Sequence, residues 1–173
     1  IKASGMAHAA GASIEAELGS MGRRESGSGD RTGSEDESKI YTDPILAKDF
    51  VAKTKLDALA CSFGTTHGIY LTEPKLDFTV VERVRKETGG IPVVMHGGSG
   101  VTEEGFRSAI LAGVRKINYF TYMDKSGGTA AADWIRNLPE GKPVFFTDLA
   151  VAARKAMKEN VKQAIRIFGM MEG

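Results

Sequence analysis

Cysteine, proline and tryptophan are scarce: the 173 residues hold one cysteine, five prolines and one tryptophan. The single thiol, Cys61, excludes a disulfide scaffold and gives the expectation of a reducing, cytoplasmic setting. Charge of one sign is also missing, since 23 Lys and Arg face 22 Asp and Glu for a net +1. That balance excludes the basic bias of most nucleic-acid and membrane-surface proteins, so neither partner is expected. No apolar run approaches the roughly 18 residues of a membrane span. The first residues do not read as a basic–apolar–small leader. They open on Ile1 instead of Met, and we expect residues to precede it in the gene product. What the chain does have is 42% hydrophobic residues, which rules out global disorder. It also has glycine, 21 of 173, well above the usual share of about 7%. Excess glycine without a repeat points to turns that approach a ligand closely.

Hydrophobic periodicity alternates between strand and helix. The spacing predicts strands at Ala12–Leu18, Leu56–Phe63, Ile91–Met95 and Val114–Tyr119. Helices are expected at Ile1–Ala10, Asp43–Lys53, Phe78–Glu87, Thr102–Leu111 and Asp148–Phe168. Asp43-Pro44 is an N-cap with Pro in the first turn, and Thr102 is a cap followed by two glutamates. In the last helix Leu149, Ala153, Met157, Val161, Ile165 and Phe168 are expected on one face. Parallel strands joined by helices leave two architectures: an open doubly wound sheet, or half of an eight-stranded barrel. No G-x-G-x-x-G follows the first strand, and the fragmentary start favours the barrel. We therefore expect a (β/α)8 (TIM) barrel, of which this chain supplies roughly the C-terminal half as a single partial domain, residues 1–173. Ser20–Lys39 holds five Ser and four Gly with no aliphatic residue except Met21. A loop this long at the C-terminal end of a barrel strand is expected to be a flexible active-site lid over residues 20–40.

Three histidines are present. His67, in T-T-H-G, and His96, in M-H-G-G-S-G, follow successive strands and lie 29 residues apart. Adjacent parallel strands would bring both imidazoles to one rim, where they could share a zinc ion. Catalytic zinc wants three protein ligands, so two do not complete a site. His8, on the opening helix, reads as structural. The run His96-Gly97-Gly98-Ser99-Gly100 joins a strand to a helix start, so its backbone N–H groups can converge on an anion. Glu15 and Glu17 alternate along a strand and share one side, either the barrel interior or the helix layer. Lys116, Asn118 and Tyr119 would add a cation, an amide and a hydroxyl nearby.

In order, A-H-A-A-G-A-S-I-E-A-E-L-G (Ala7–Gly19), Y-T-D-P (Tyr41–Pro44), G-T-T-H-G-I-Y (Gly64–Tyr70), P-K-L-D-F (Pro74–Phe78), H-G-G-S-G (His96–Gly100) and K-I-N-Y-F-T (Lys116–Thr121) resemble the class II, zinc-dependent fructose/tagatose-bisphosphate aldolases. The resemblance implies an aldehyde-lyase of carbohydrate metabolism and glycolysis. Such an enzyme cleaves or forms a C–C bond in a ketose (bis)phosphate, giving dihydroxyacetone phosphate and an aldehyde through a metal-stabilised enediolate. By the same resemblance His67 and His96 bind Zn2+, and Glu17 lies close to it. Gly68, Gly97 and Ser99 match positions holding a monovalent cation (Na+ or K+) or the ketose phosphate, to which Gly98 would add a backbone donor. Asn118 matches the residue that steadies the enediolate, Thr121 a phosphate contact, and Glu25 a lid acid. Lys116 reads as electrostatic or structural, since no Schiff base is needed. The family's third zinc histidine and its proton-transferring aspartate belong to an Asp-His motif that this sequence does not contain. The family's G-G-E-E-D lid motif is Gly22-Arg23-Arg24-Glu25-Ser26 here, and Phe120 replaces a small or acidic residue. The expectation is thus a homo-oligomeric enzyme that needs an N-terminal half, inactive as this piece alone. The alternative is a non-catalytic barrel fragment or companion subunit that binds a partner without turnover.

Overall fold

A computed structural model describes residues 1–19, 23–24, 41–65, 67–68, 74–98 and 100–171, with the backbone alone at 23, 24, 67 and 68. The chain packs as two compact units, Ile1–Asn118 and Tyr119–Gly173. The first carries α1 (Lys2–Ala9), β1 (Glu15–Leu18), β2 (Arg23–Arg24), α2 (Pro44–Thr54), β3 (Ala58–Cys61), β4 (His67–Gly68), α3 (Phe78–Glu87), β5 (Val93–Met95), α4 (Glu103–Ala112) and β6 (Val114–Ile117). The second carries α5 (Thr121–Arg136) and α6 (Phe146–Phe168).

Helix starts follow the capping residues. The Asp43 carboxylate accepts from the backbone N–H of Ile45 and Leu46 at 2.7 and 3.0 Å, and Pro44 opens α2 where its missing donor costs nothing. The Thr102 hydroxyl accepts from Gly105 N–H at 3.1 Å, and Glu103 and Glu104 sit at the positive end of α4.

β1, β3, β5 and β6 form one parallel sheet in that order, so chain neighbours are sheet neighbours. Right-handed crossovers then put the connecting helices on one face. The middle strands are buried apart from Ala58 at the start of β3: Leu59, Ala60 and Cys61 of β3 and Val93, Val94 and Met95 of β5 have no exposed surface. Val81 and Val84 of α3, Ala47 of α2 and Ala109 of α4 are equally inaccessible. A buried aliphatic side chain of this size contributes about 1.5–3 kcal/mol. Charged residues are displaced to the outer strands, Glu15 and Glu17 on β1 and Lys116 on β6.

Register places Glu17 beside Ala60, Ala60 beside Val94, and Val94 beside Lys116. The sheet is strongly curved. In a flat sheet, strands first and fourth in order would stand about 14 Å apart, three spacings of ~4.8 Å. Yet Lys116 on β6 donates to Glu15 on β1 at 2.8 Å, over the top of β3 and β5. Only a concave face brings those side chains together.

Beyond the ends of β1 and β3 lies a two-residue parallel ladder, Arg23 opposite His67 and Arg24 opposite Gly68. The return at Tyr41–Thr42 is clamped to the same rim. Thr42 Oγ1 donates to Leu18 O at 2.6 Å and accepts from Ser62 N–H at 2.8 Å. At the opposite end, the His8 ring meets the Asp57 carboxylate at 2.9 Å, and Asp57 also accepts from Ile14 N–H at 2.8 Å. These bonds hold Asp57 below the usual carboxylate range, the His8 contact first. His8 is a structural anchor of α1.

In the second unit α5 and α6 pack on each other, and a Cβ on Gly127 would strike Met157. The inward stripe of α6 runs through Leu149, Ala153, Met157, Val161, Ala164 and Phe168. Ile165 departs from the expected face. It is 55% exposed because Ala164, one position earlier, occupies the buried phase. The α5 helix has no counterpart among the expected helices, since its Gly127-Gly128 pair and small residues carry little apolar periodicity. Among the described residues no helix is long and apolar enough to cross a membrane.

Candidate metal and substrate site

The concave face gathers polar side chains from β1 and β6 and from the residues just past the ends of β5 and β6. Glu15 and Glu17, two apart on β1, point the same way and reach one imidazole. His96, the residue after β5, has Nδ1 2.7 Å from Glu17 Oε2 and Nε2 2.9 Å from Glu15 Oε1. The ring is 17% exposed, enough for access from one side. From β6, Lys116 Nζ donates to Glu15 Oε2 and to Asn118 Oδ1, both at 2.8 Å. Asn118 is fixed in turn by its backbone N–H, which donates to Met95 O at 3.0 Å and prolongs the β5–β6 ladder. Burial opposes ionisation of Glu15, but hydrogen bonds and charge from Lys116 and His96 outweigh it and lower its pKa.

Gly97 follows with φ +64°, a left-handed turn that glycine adopts without strain. Gly98 is buried, and a Cβ there would come within 3.0 Å of the Phe106 ring. These two residues follow β5 in the chain, ahead of the Thr102 cap of α4.

Of the candidate residues, Glu17, His96, Gly97, Gly98 and Asn118 meet in the first unit. His67 and Gly68 lie on β4, past the C-terminal end of β3, with backbone alone described. Ser99, Glu25 and most of the 20–40 segment lie outside the described residues. Thr121 is the first residue of α5, in the second unit. Glu15 and Lys116 join the site beyond the residues that the motifs assign. Their signal was the same two-residue alternation that pairs Glu15 with Glu17 and Lys116 with Asn118.

Among the described residues no group of three His, Cys, Asp or Glu is arranged to hold a metal ion. The donors at hand nevertheless fit zinc in kind: an imidazole nitrogen beside the Glu17 carboxylate at an open sheet end, with His67 in the neighbouring segment.

The family model described as fructose-bisphosphate aldolase class-II matches residues 2–172. The chain belongs to that family. It is 38% identical over 168 residues to a fructose-bisphosphate aldolase of Staphylococcus aureus (strain Mu50), covering 94% of this chain and 54% of the relative. It is 36% identical over 162 residues to the uncharacterized protein YdjI of Escherichia coli K12, with the same two coverages. The crystal structure of the YdjI aldolase superposes with a TM-score of 0.75 at 34% identity, covering 97% of this chain and 53% of that one. A fructose-bisphosphate aldolase from Campylobacter jejuni gives 0.70 at 26% identity, covering 95% and 54%. The chain thus spans about half the length of the aldolases it matches. Its curved parallel sheet is the corresponding part of the family's (β/α)8 barrel.

Proposed function

We propose that this chain carries the zinc- and phosphate-binding side of an aldolase active site for a ketose phosphate. The observation that supports it most is the convergence of Glu17, His96 and Asn118 on one concave face. His67 and His96 would hold the zinc, with the Glu17 carboxylate beside them. Bound there, zinc supplies Lewis-acid polarisation of a carbonyl oxygen.

The chain's own residues do the rest. With Oδ1 occupied by Lys116, Asn118 turns its NH2 donors away from the lysine, toward charge developing on a substrate oxygen. Gly97 and Gly98 would orient the phosphate or a monovalent cation through backbone groups; the same role for Gly68, Ser99 and Thr121 rests on the family's motifs alone. We place the reaction in the cytoplasm, in line with a single, buried cysteine.

The test joins this chain to the N-terminal half of a relative and follows release of dihydroxyacetone phosphate from ketose bisphosphates. Cleavage that is lost on chelation and on His96→Ala supports the reading. Zinc retention without cleavage of any ketose phosphate favours a companion role instead.

A further inference from the structure

We propose that Lys116 is a positioning residue that sets two functional side chains at once: the ring of His96, through Glu15, and the amide of Asn118. The inference rests on reading His96 as a metal ligand, and adds which of its two nitrogens serves.

Both ring nitrogens of His96 face a carboxylate, so distance alone does not choose between them. Lys116 does. Its ammonium sits 2.8 Å from Glu15 Oε2, leaving Glu15 Oε1 for His96 Nε2. A carboxylate already paired with a cation is a poor ligand for a second cation, and the lysine charge repels a metal from that side. Glu15 therefore acts as acceptor for an Nε2–H proton. Metal-binding histidines commonly donate their other N–H to a carboxylate in this way, which fixes the ring and raises its basicity. Nδ1, 2.7 Å from Glu17 in this structure, is the nitrogen that would take the metal, with the Glu17 carboxylate giving way to it.

The same ammonium settles Asn118. Lysine only donates, so the asparagine atom 2.8 Å from Nζ must be the carbonyl oxygen. The NH2 group is turned the other way. One lysine thus links the metal side to the oxyanion side, and only because curvature brings β6 over to β1.

The experiment compares the 173-residue chain with Lys116→Met and Lys116→Arg. Lys116 is 53% exposed, so both substitutions fit sterically. In the metal-free chain, nitrogen-15 NMR should show a slowly exchanging His96 Nε2–H proton and one ordered Asn118 amide pair. Lys116→Met should abolish the first and disperse the second, and Lys116→Arg should restore both. Lys48→Met, which removes an ion pair between α2 and Glu87 of α3, should move neither. With zinc added, competition against a chromophoric chelator should show a loss of affinity of about 10–100-fold for Lys116→Met. Unchanged NMR signals in Lys116→Met, or zinc bound through Nε2, would overturn the proposal. A wild-type chain that binds no zinc, yet whose signals respond to Lys116→Met with rescue by arginine, leaves the positioning role intact and defeats the metal reading.

Discussion

Glu15 and Lys116 lie on the first and last strands of the four-stranded sheet, yet their side chains meet at 2.8 Å. That contact follows from the curvature of a barrel wall. It also explains the absence of charge on the middle strands: Ala60 and Val94 leave room for long polar side chains to cross above them. The outer strands supply Glu15, Glu17 and Lys116 to the polar site, β5 adds His96 just past its end, and the bodies of β3 and β5 form the hydrophobic core.

The lower end of the sheet has its own titratable lock. Asp57 is held below its ordinary pKa by the His8 ring and by Ile14 N–H. A lowered folded-state value stabilises above the unfolded carboxylate pKa, near 3.9, and that contribution is lost as pH falls through the folded value. Urea unfolding at neutral pH should therefore find Asp57→Asn less stable than wild type. The gap should close in acid, below both values.

Gly64 follows the isolated bridge at Phe63 with φ +99°, and a Cβ there would strike the Lys75 carbonyl oxygen. Gly64→Ala should cost at least about 1–3 kcal/mol from backbone strain alone, read as a lower urea midpoint at unchanged slope. A midpoint equal to wild type would mean that Gly64 does not lie against the Lys75 carbonyl.

Burial pushes the Cys61 thiol up to about 12. The native chain should therefore leave a thiol reagent unreacted at neutral pH and give one equivalent on denaturation. Rapid native labelling would place Cys61 outside the core of β3.

On α6 the phase of the buried stripe can be checked directly. Ile165→Lys, at an exposed position, should change stability within about 0.5 kcal/mol. Ala164→Leu, at a buried one, should cost about 1–3 kcal/mol by overpacking.

Much of this was legible in the sequence, wherever the signal was local. The limits of α3 at Phe78–Glu87, the Asp43 and Thr102 caps and the four strand positions follow from periodicity and capping chemistry. The shared side of Glu15 and Glu17 follows from strand alternation. Other features depend on partners distant in the chain. The β2–β4 ladder is two residues long on each side and carries no period. The first helix of the second unit, α5, packs on α6, where Gly127 meets Met157. The role of Lys116 needed sheet curvature, since 101 positions separate it from Glu15. Recurring motifs identified the family, but not the network that holds His96.

The most direct test of the metal and substrate site is zinc stoichiometry with the metal's ligand environment, measured by X-ray absorption on the zinc-loaded chain and on His96→Ala. The expected result is about one zinc per chain with imidazole nitrogen and carboxylate oxygen in its shell, and at least a roughly tenfold loss of affinity in the variant. Zinc held equally well by His96→Ala, or a wild-type shell without imidazole, would contradict a metal site at the C-terminal end of β5.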